Sequence, residues 1–389
     1  MLISDKPRIN LGGGDKPLSG FVTIDRTEGH DILKWLEEQP ENSVAEFYAS
    51  HVIEHFGHID CNRVLANMYR VLEPGGRLRV AVPDFDVLCQ LHVEGKTNIL
   101  PFVYGGQTTD DDYHKTGFNY NGLRSALRNL GFVALGRWRS DTDDCAALSV
   151  SVNVEGYKPR RPLAEILAPG RAVAVMSVGR LLFADAVRCM NKVVHKLGVP
   201  VIDLTGAFWR QTMETVIDEA LAKNPGVEWI ITLDHDSVFT MEQFERLAVL
   251  FDNHPEIDAL APIQPHRNFE SVLAWTDGKP IDTMAETAQV ATAHFGLTFL
   301  RASKLREFAH PWFYGKPGPD GKWGVGRVDD DIAFWRKWNE AGNNVHITPR
   351  VGIGHLENVV LWAGTDYKPV AQPCCDFIAE GLPPEDALH

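Results

Sequence analysis

An apolar run, Val227-Glu228-Trp229-Ile230-Ile231-Thr232-Leu233, ends in Asp234-His235-Asp236. Carboxylates at i and i+2 share a strand face, and in the turn after the strand both can reach one divalent cation. Such a cation could carry a diphosphate and neutralise the charge that develops when the diphosphate leaves. A second acidic run, Asp329-Asp330-Asp331, opens the helical pattern IAFWRKW, and the strand-like VHITPRVGIG closes on His355. Acidic residues at a helix start are favoured by the helix dipole alone. His355, however, could complete a coordination shell begun by Asp234 and Asp236.

The other half holds a different set. Arg8 to Leu11 runs into Gly12-Gly13-Gly14, and the apolar run from Phe21 to Ile24 ends at Asp25. Glycines after a first strand let the backbone approach a ligand, and an acid closing the second strand can take a ribose diol. Val44 to Ser50 reads as a strand, and it leads into His51-Val52-Ile53-Glu54-His55. This HxxEH spacing is that of inverted zinc peptidases, where two imidazoles ligate zinc beside a Glu. Here it follows a strand directly and the sequence shows no third ligand. His51 and Glu54 are therefore expected at the strand's C-terminal edge, where α/β sheets place ligands.

Both sets need sheets to position them. Short β-branched runs alternate with helical patterns throughout, which predicts two tandem α/β domains with mainly parallel sheets. The 389 residues exceed what one core usually supports, and 44% hydrophobic with 23% charged residues is an ordinary globular composition. The segment EGYKPRRPLAEILAPG predicts a boundary, with a first domain at 1–157, a linker at 158–170, a second domain at 171–370 and a loose tail at 371–389. A net charge of −14 opposes attraction to nucleic acid or anionic lipid. The chain has no apolar stretch of spanning length and no h-region at its start, so a cytoplasmic protein with no transmembrane segment is expected. The six cysteines have no metal-finger spacing and are expected reduced.

Two resemblances follow from these segments. The series LGGG, Asp25, Asp31, HVIEH, RVLEPGGRLRVAVPD and HKTGFNYNGLRSALRNLGF resembles class I S-adenosylmethionine-dependent methyltransferases, which have a Rossmann-like fold. The resemblance implies S-adenosylmethionine as cofactor, with Gly12 and Gly14 at its methionine end, Asp25 at its ribose and Asp31 or a neighbour on its adenine side; His51, from its strand edge, is expected beside the same cofactor. The second half, with WIITLDHD, DDIAFWRKWNEAG and His355, resembles inverting GT-A glycosyltransferases of the family-2-like group. That resemblance implies a nucleotide-sugar donor, a glycan or other hydroxyl acceptor, and Mn²⁺ or Mg²⁺ held by Asp234, Asp236 and His355. It further implies Asp331 as general base with Asp330 as the alternative, Ser177 bordering the nucleotide, and Gly296 letting the sugar approach the backbone. Trp312, Phe313 and Trp323 could stack on a sugar ring. Two other readings are a methyltransferase whose C-terminal half binds glycan, and a non-catalytic nucleotide-binding scaffold.

Overall fold

The computed structural model describes residues 5–14, 16–109, 111–140, 142–179, 183–265, 274–275, 281–282, 285–324, 326–357, 359–363 and 369–373. Residues 374–389 of the expected tail, with Cys374 and Cys375, lie outside the described residues. Contacts divide the chain into two units, Met1–Ile166 with Glu242–Glu256, and Leu167–Met241 with Ile257–His389.

The first unit is built on β1 (Arg8–Leu11), β2 (Val22–Ile24), β3 (Val44–Ser50), β4 (Leu72–Pro83), β5 (Val133–Arg137) and β6 (Ser151–Tyr157). The sheet order is β2-β1-β3-β4-β6-β5, parallel from β2 to β4, with β6 antiparallel to both of its neighbours. From β1 the chain steps to β2 on one side and returns to β3 on the other. This reversal opens a crevice at the C-terminal ends of β1 and β3, where doubly wound sheets bind ligands. The helix His58–Val71 covers the sheet with Cys61, Val64, Leu65, Met68 and Val71, all buried. Their spacing of three and four makes one apolar stripe, and each large side chain so buried contributes roughly 1.5–3 kcal/mol.

The sequence pattern placed the helix Met241–Asn253 with the second domain, but its packing belongs to the first unit from Glu242 onward. Every residue from Phe244 to Asn253 is buried. Polar members are paired within the unit: Arg246 with the fully buried Glu155, Asp252 with Arg161 at 2.8 Å, and Glu242 with Arg124 at 2.7 Å. An apolar period identifies a helix that must be covered and says nothing of which core covers it. The expected linker is likewise partly structured, since it contains the helix Leu163–Ile166, and Ile166 and Leu167 are buried.

The second unit contains β7 (Ala172–Val178), β8 (Val201–Thr205), β9 (Trp229–Asp234), β10 (Ser237–Val238), β11 (Ala259–Ile263), β12 (Ala274–Trp275), β13 (Ala288–Val290), β14 (Thr292–Ala293), β15 (Leu297–Arg301), β16 (Val345–Gly352), β17 (Gly354–His355), β18 (Val359–Ala363) and β19 (Pro369–Pro373). Seven of these form a mixed sheet ordered β13-β16-β11-β15-β9-β7-β8, and the rest pair as β10-β17, β12-β14 and β18-β19. β7 is buried along its whole length and β9 up to Asp234, which is why both read as continuous apolar runs. Here too the chain reverses, from β7 to β8 on one side and to β9 on the other, so Asp234 stands at the mouth of a crevice.

An aromatic cluster fills the space under the helix Asp330–Glu340. Phe295 stacks on Trp335 at 5.1 Å, and Phe313 stacks on Phe334 at 4.9 Å. Trp312 and Phe313 are each 2% exposed. They are core residues, which corrects the expectation that they offer a face to a sugar. No helix among the described residues is long and apolar enough to cross a membrane.

Candidate functional sites

Each unit has a cavity at its crevice. The cavity of the second unit, about 520 Å³, is lined by Trp209, Asp234, His235, Asp236, Gln264, Thr292 to Phe295, Trp323, Asp329 to Ile332 and His355. Five residues that the sequence spreads over 122 positions, Asp234, Asp236, Asp330, Asp331 and His355, thus face one space.

Local structure explains the convergence. β9 delivers Asp234, and the short antiparallel pair β10-β17 sets Ser237 opposite His355. The Leu356 N–H donates to the Asp236 carbonyl at 2.7 Å, fixing the two loops together. His355 Nε2 lies 3.3 Å from Asp236 Oδ2, while its Nδ1 lies 3.0 Å from the Pro265 carbonyl. A carbonyl can only accept, so Nδ1 carries a hydrogen, which leaves Nε2 as the nitrogen that faces the carboxylate. An outer carbonyl that orients a ring in this way is common where imidazole ligates a metal.

Asp234 accepts a hydrogen bond from Trp209 Nε1 at 3.2 Å. Burial, followed by repulsion from Asp236, nevertheless pushes its carboxyl up to about 6. Relief of that repulsion is what a divalent cation would supply. The three are not a preformed cluster, however. Among the described residues, the group whose ligand atoms all lie within 4.8 Å of one another is Glu54, His55 and His114 of the first unit.

The two aspartates of the acidic run differ. Asp330 Oδ1 accepts from the Gly315 N–H at 2.7 Å and lies 3.7 Å from Arg210. Asp331 accepts a local bond from the Ile332 N–H at 2.8 Å, and burial, then the charges of Asp329 and Asp330, raises its pKa.

Ser177 and Gly296 are placed otherwise than expected. Ser177 is 4% exposed, pairs in register with Asp234 and does not line the cavity. The space in front of Gly296 is filled: a Cβ there would stand 2.5 Å from both Gln264 Oε1 and Ser237 Oγ. Its backbone instead serves the neighbouring loop, donating from N–H to His294 Nδ1 at 3.0 Å. His294 Nε2 in turn donates to the Pro262 carbonyl at 2.9 Å, and burial pushes this imidazole down to about 4, so it is neutral. Trp323 is 62% exposed and lines the cavity, so its ring is available to a ligand. Trp209, Gln264 and His294 went unseen in the sequence, where each is one polar or aromatic residue without a spacing partner.

The first unit's cavity, about 710 Å³, is lined by all five residues expected there, Gly12, Gly14, Asp25, Asp31 and His51, together with His55. Gly12 has φ +65°, and a Cβ would stand 2.4 Å from Val52 Cγ2, so the turn after β1 requires glycine for both conformation and space. Burial opposes ionisation of Asp25, but hydrogen bonds from Thr27 and from the Gly14 N–H at 3.1 Å outweigh it and hold the carboxyl below its usual range. Asp31 caps the helix Ile32–Glu38 through the Lys34 N–H at 3.0 Å. His51 adopts φ +56°, an uncommon conformation for a non-glycine residue, and its Nε2 lies 3.0 Å from Ser151 Oγ. Burial lowers the pKa of His55.

No protein-family model matches the chain, and no curated protein does. Solved structures give partial likenesses. One is A197 from STIV, 15% identical, covering 52% of this chain and 94% of that one with a TM-score of 0.37. A second is a possible histamine N-methyltransferase, described as S-adenosylmethionine-dependent, from Thermotoga maritima, 17% identical, covering 40% and 84% with a TM-score of 0.28. A third is an S-adenosylmethionine-dependent methyltransferase from Archaeoglobus fulgidus, 11% identical, covering 39% and 86% with a TM-score of 0.26.

Proposed function

We propose that the second unit is a metal-dependent glycosyltransferase that moves a sugar from a nucleotide-diphosphate donor to a hydroxyl acceptor with inversion. The observation that carries this reading is the presence of Asp234, Asp236, His355 and Asp331 in one cavity at the reversal of a mixed sheet. Asp234, Asp236 and His355 would hold the divalent cation, which supplies charge neutralisation for the departing diphosphate. Asp331, free of cationic partners among the described residues and raised in pKa, would take the acceptor hydroxyl's proton as the anomeric carbon is attacked. Trp323 would offer its ring to a sugar. The test is donor hydrolysis across a panel of nucleotide-sugars with and without Mn²⁺. Turnover that needs the metal and disappears in Asp236→Ala supports the reading, and no turnover of any donor counts against it.

A second activity, methyl transfer from S-adenosylmethionine, is favoured for the first unit by its own cavity. Gly12, Gly14, Asp25 and Asp31 line it at the reversal between β1 and β3, where a nucleoside-bearing cofactor would place its ribose against Asp25. Calorimetric titration with S-adenosylmethionine tests it: saturable binding that weakens in Asp25→Ala is expected, and absence of binding would leave the unit without this role. Should S-adenosylmethionine bind while no sugar donor turns over, methyl transfer is the main activity and the second unit is a glycan-binding partner. Failure of both assays would mark a non-catalytic scaffold.

A further inference from the structure

We propose that the first unit holds a divalent transition-metal ion on Glu54, His55 and His114. Their ligand atoms lie within 4.8 Å of one another. Glu54 is 1% exposed, and both of its carboxylate oxygens, with His55 Nδ1, are buried and have no hydrogen-bond partner among the described residues. A buried carboxylate so poorly compensated is costly, and a cation is the natural counterpart.

The surroundings are built for the arrangement. The N–H groups of Lys115 and Thr116 donate to the Glu54 carbonyl at 2.7 and 3.1 Å, which brings His114 beside the HxxEH segment from sixty residues away. His114 Nδ1 lies 2.8 Å from the Phe102 carbonyl, so Nδ1 donates and Nε2 keeps a free lone pair. That is the orienting contact expected of a ligating imidazole. Two imidazoles and one carboxylate suit Zn²⁺, Co²⁺, Mn²⁺ or Fe²⁺ and leave coordination positions open. His55 also borders the larger cavity of this unit, while Glu54 and His114 border a second one beside Phe85 and Phe102. An ion here could therefore bind an oxygen or nitrogen of a molecule in either. Among the described residues His51 Nδ1 also lies 3.3 Å from Glu54 Oε1 and competes for that oxygen.

The experiment uses the full chain carrying Asp236→Asn, which removes the second unit's carboxylate pair from the count. Co²⁺ is titrated while visible absorption is followed, and Zn²⁺ is titrated by calorimetry. One ion per chain is expected, with binding weakened about a hundredfold or lost in both His114→Ala and Glu54→Gln. The Glu54→Gln chain should fail to gain the stability that Zn²⁺ gives its parent. It also keeps the test decisive if His114→Ala does not fold. No uptake of either ion, or uptake that survives both substitutions, would overturn the proposal and leave His51 as the partner of Glu54.

Discussion

His355 Nε2 lies 3.3 Å from Asp236 Oδ2, with the opposite ring nitrogen 3.0 Å from the Pro265 carbonyl. One residue comes from β17 and the other from the turn before β10, and the pairing of those strands is what makes them neighbours. If the imidazole is a metal ligand, His355→Gln should lower metal-dependent donor turnover by about 10²-fold or more, since metal stabilisation of a leaving group is worth several kcal/mol. Steady-state rates at saturating Mn²⁺ check this, and an unchanged rate would remove His355 from the ligand set.

Asp330 and Asp331 should separate cleanly. Asp331→Asn should keep donor binding and lose about 10²- to 10⁴-fold in transfer, as removal of a general base does. Asp330→Ala removes the acceptor of the Gly315 N–H and should cost about 1–2 kcal/mol of stability with less effect on rate. Rates and melting curves on the two variants decide the matter, and the opposite pattern would move the base to Asp330.

The raised pKa of Asp331 has a sign that can be measured. A general base works deprotonated, so transfer should fall as pH drops through a value above the ordinary carboxylate 3.8. Below that value the carboxylic acid cannot take the acceptor's proton. A pH–rate profile at saturating donor that stays flat to below 3.8 would contradict the assignment.

Asp234 should trade stability for function. Its folded pKa is raised from 3.8 to about 6, so the stability it contributes is whole below 3.8 and is lost as pH rises through about 6. Asp234→Asn should therefore be more stable than the parent above pH 6 in the absence of metal. The gain is about 1–2 kcal/mol once the residue's partial exposure to the cavity is allowed for. The same variant should lose Mn²⁺-dependent turnover. Melting curves with chelator across the pH range check the first half, and a variant less stable than the parent above pH 6 would contradict it.

In the first unit, Arg246 and Glu155 form an ion pair with exposures of 4% and 0%. Removing one partner of such a pair leaves a charge stranded, at a cost of about 3–5 kcal/mol. Arg246→Ala should show that loss in denaturant unfolding, whereas a cost below about 1 kcal/mol would mean that the helix is not integral to the unit.

Much of this arrangement was legible in the sequence because it depends on strand ends. An apolar run that stops at a carboxylate or glycine marks the edge where an α/β sheet binds ligands, which is why Gly12, Asp25, Asp234 and Asp236 all border cavities. Contacts made by single residues across the fold were not legible. Nothing near Trp209 in the chain announces its bond to Asp234, and His114 lies sixty positions from the HxxEH segment that lacked a third ligand. Gly296 misled because a glycine needed for packing against Gln264 and Ser237 looks the same in sequence as one needed for a substrate. The helix Met241–Asn253 misled because amphipathicity does not name its core.

On the proposed function, Asp234, Asp236 and His355 share one cation that grips a diphosphate. The most direct test is Mn²⁺ binding by electron paramagnetic resonance, with and without a nucleoside diphosphate, in a His114→Ala chain whose first-unit site is disabled. The account predicts one Mn²⁺ per chain, bound more tightly when the nucleotide is present and lost in Asp236→Asn. Mn²⁺ binding that ignores the nucleotide, or that persists in Asp236→Asn, would contradict it.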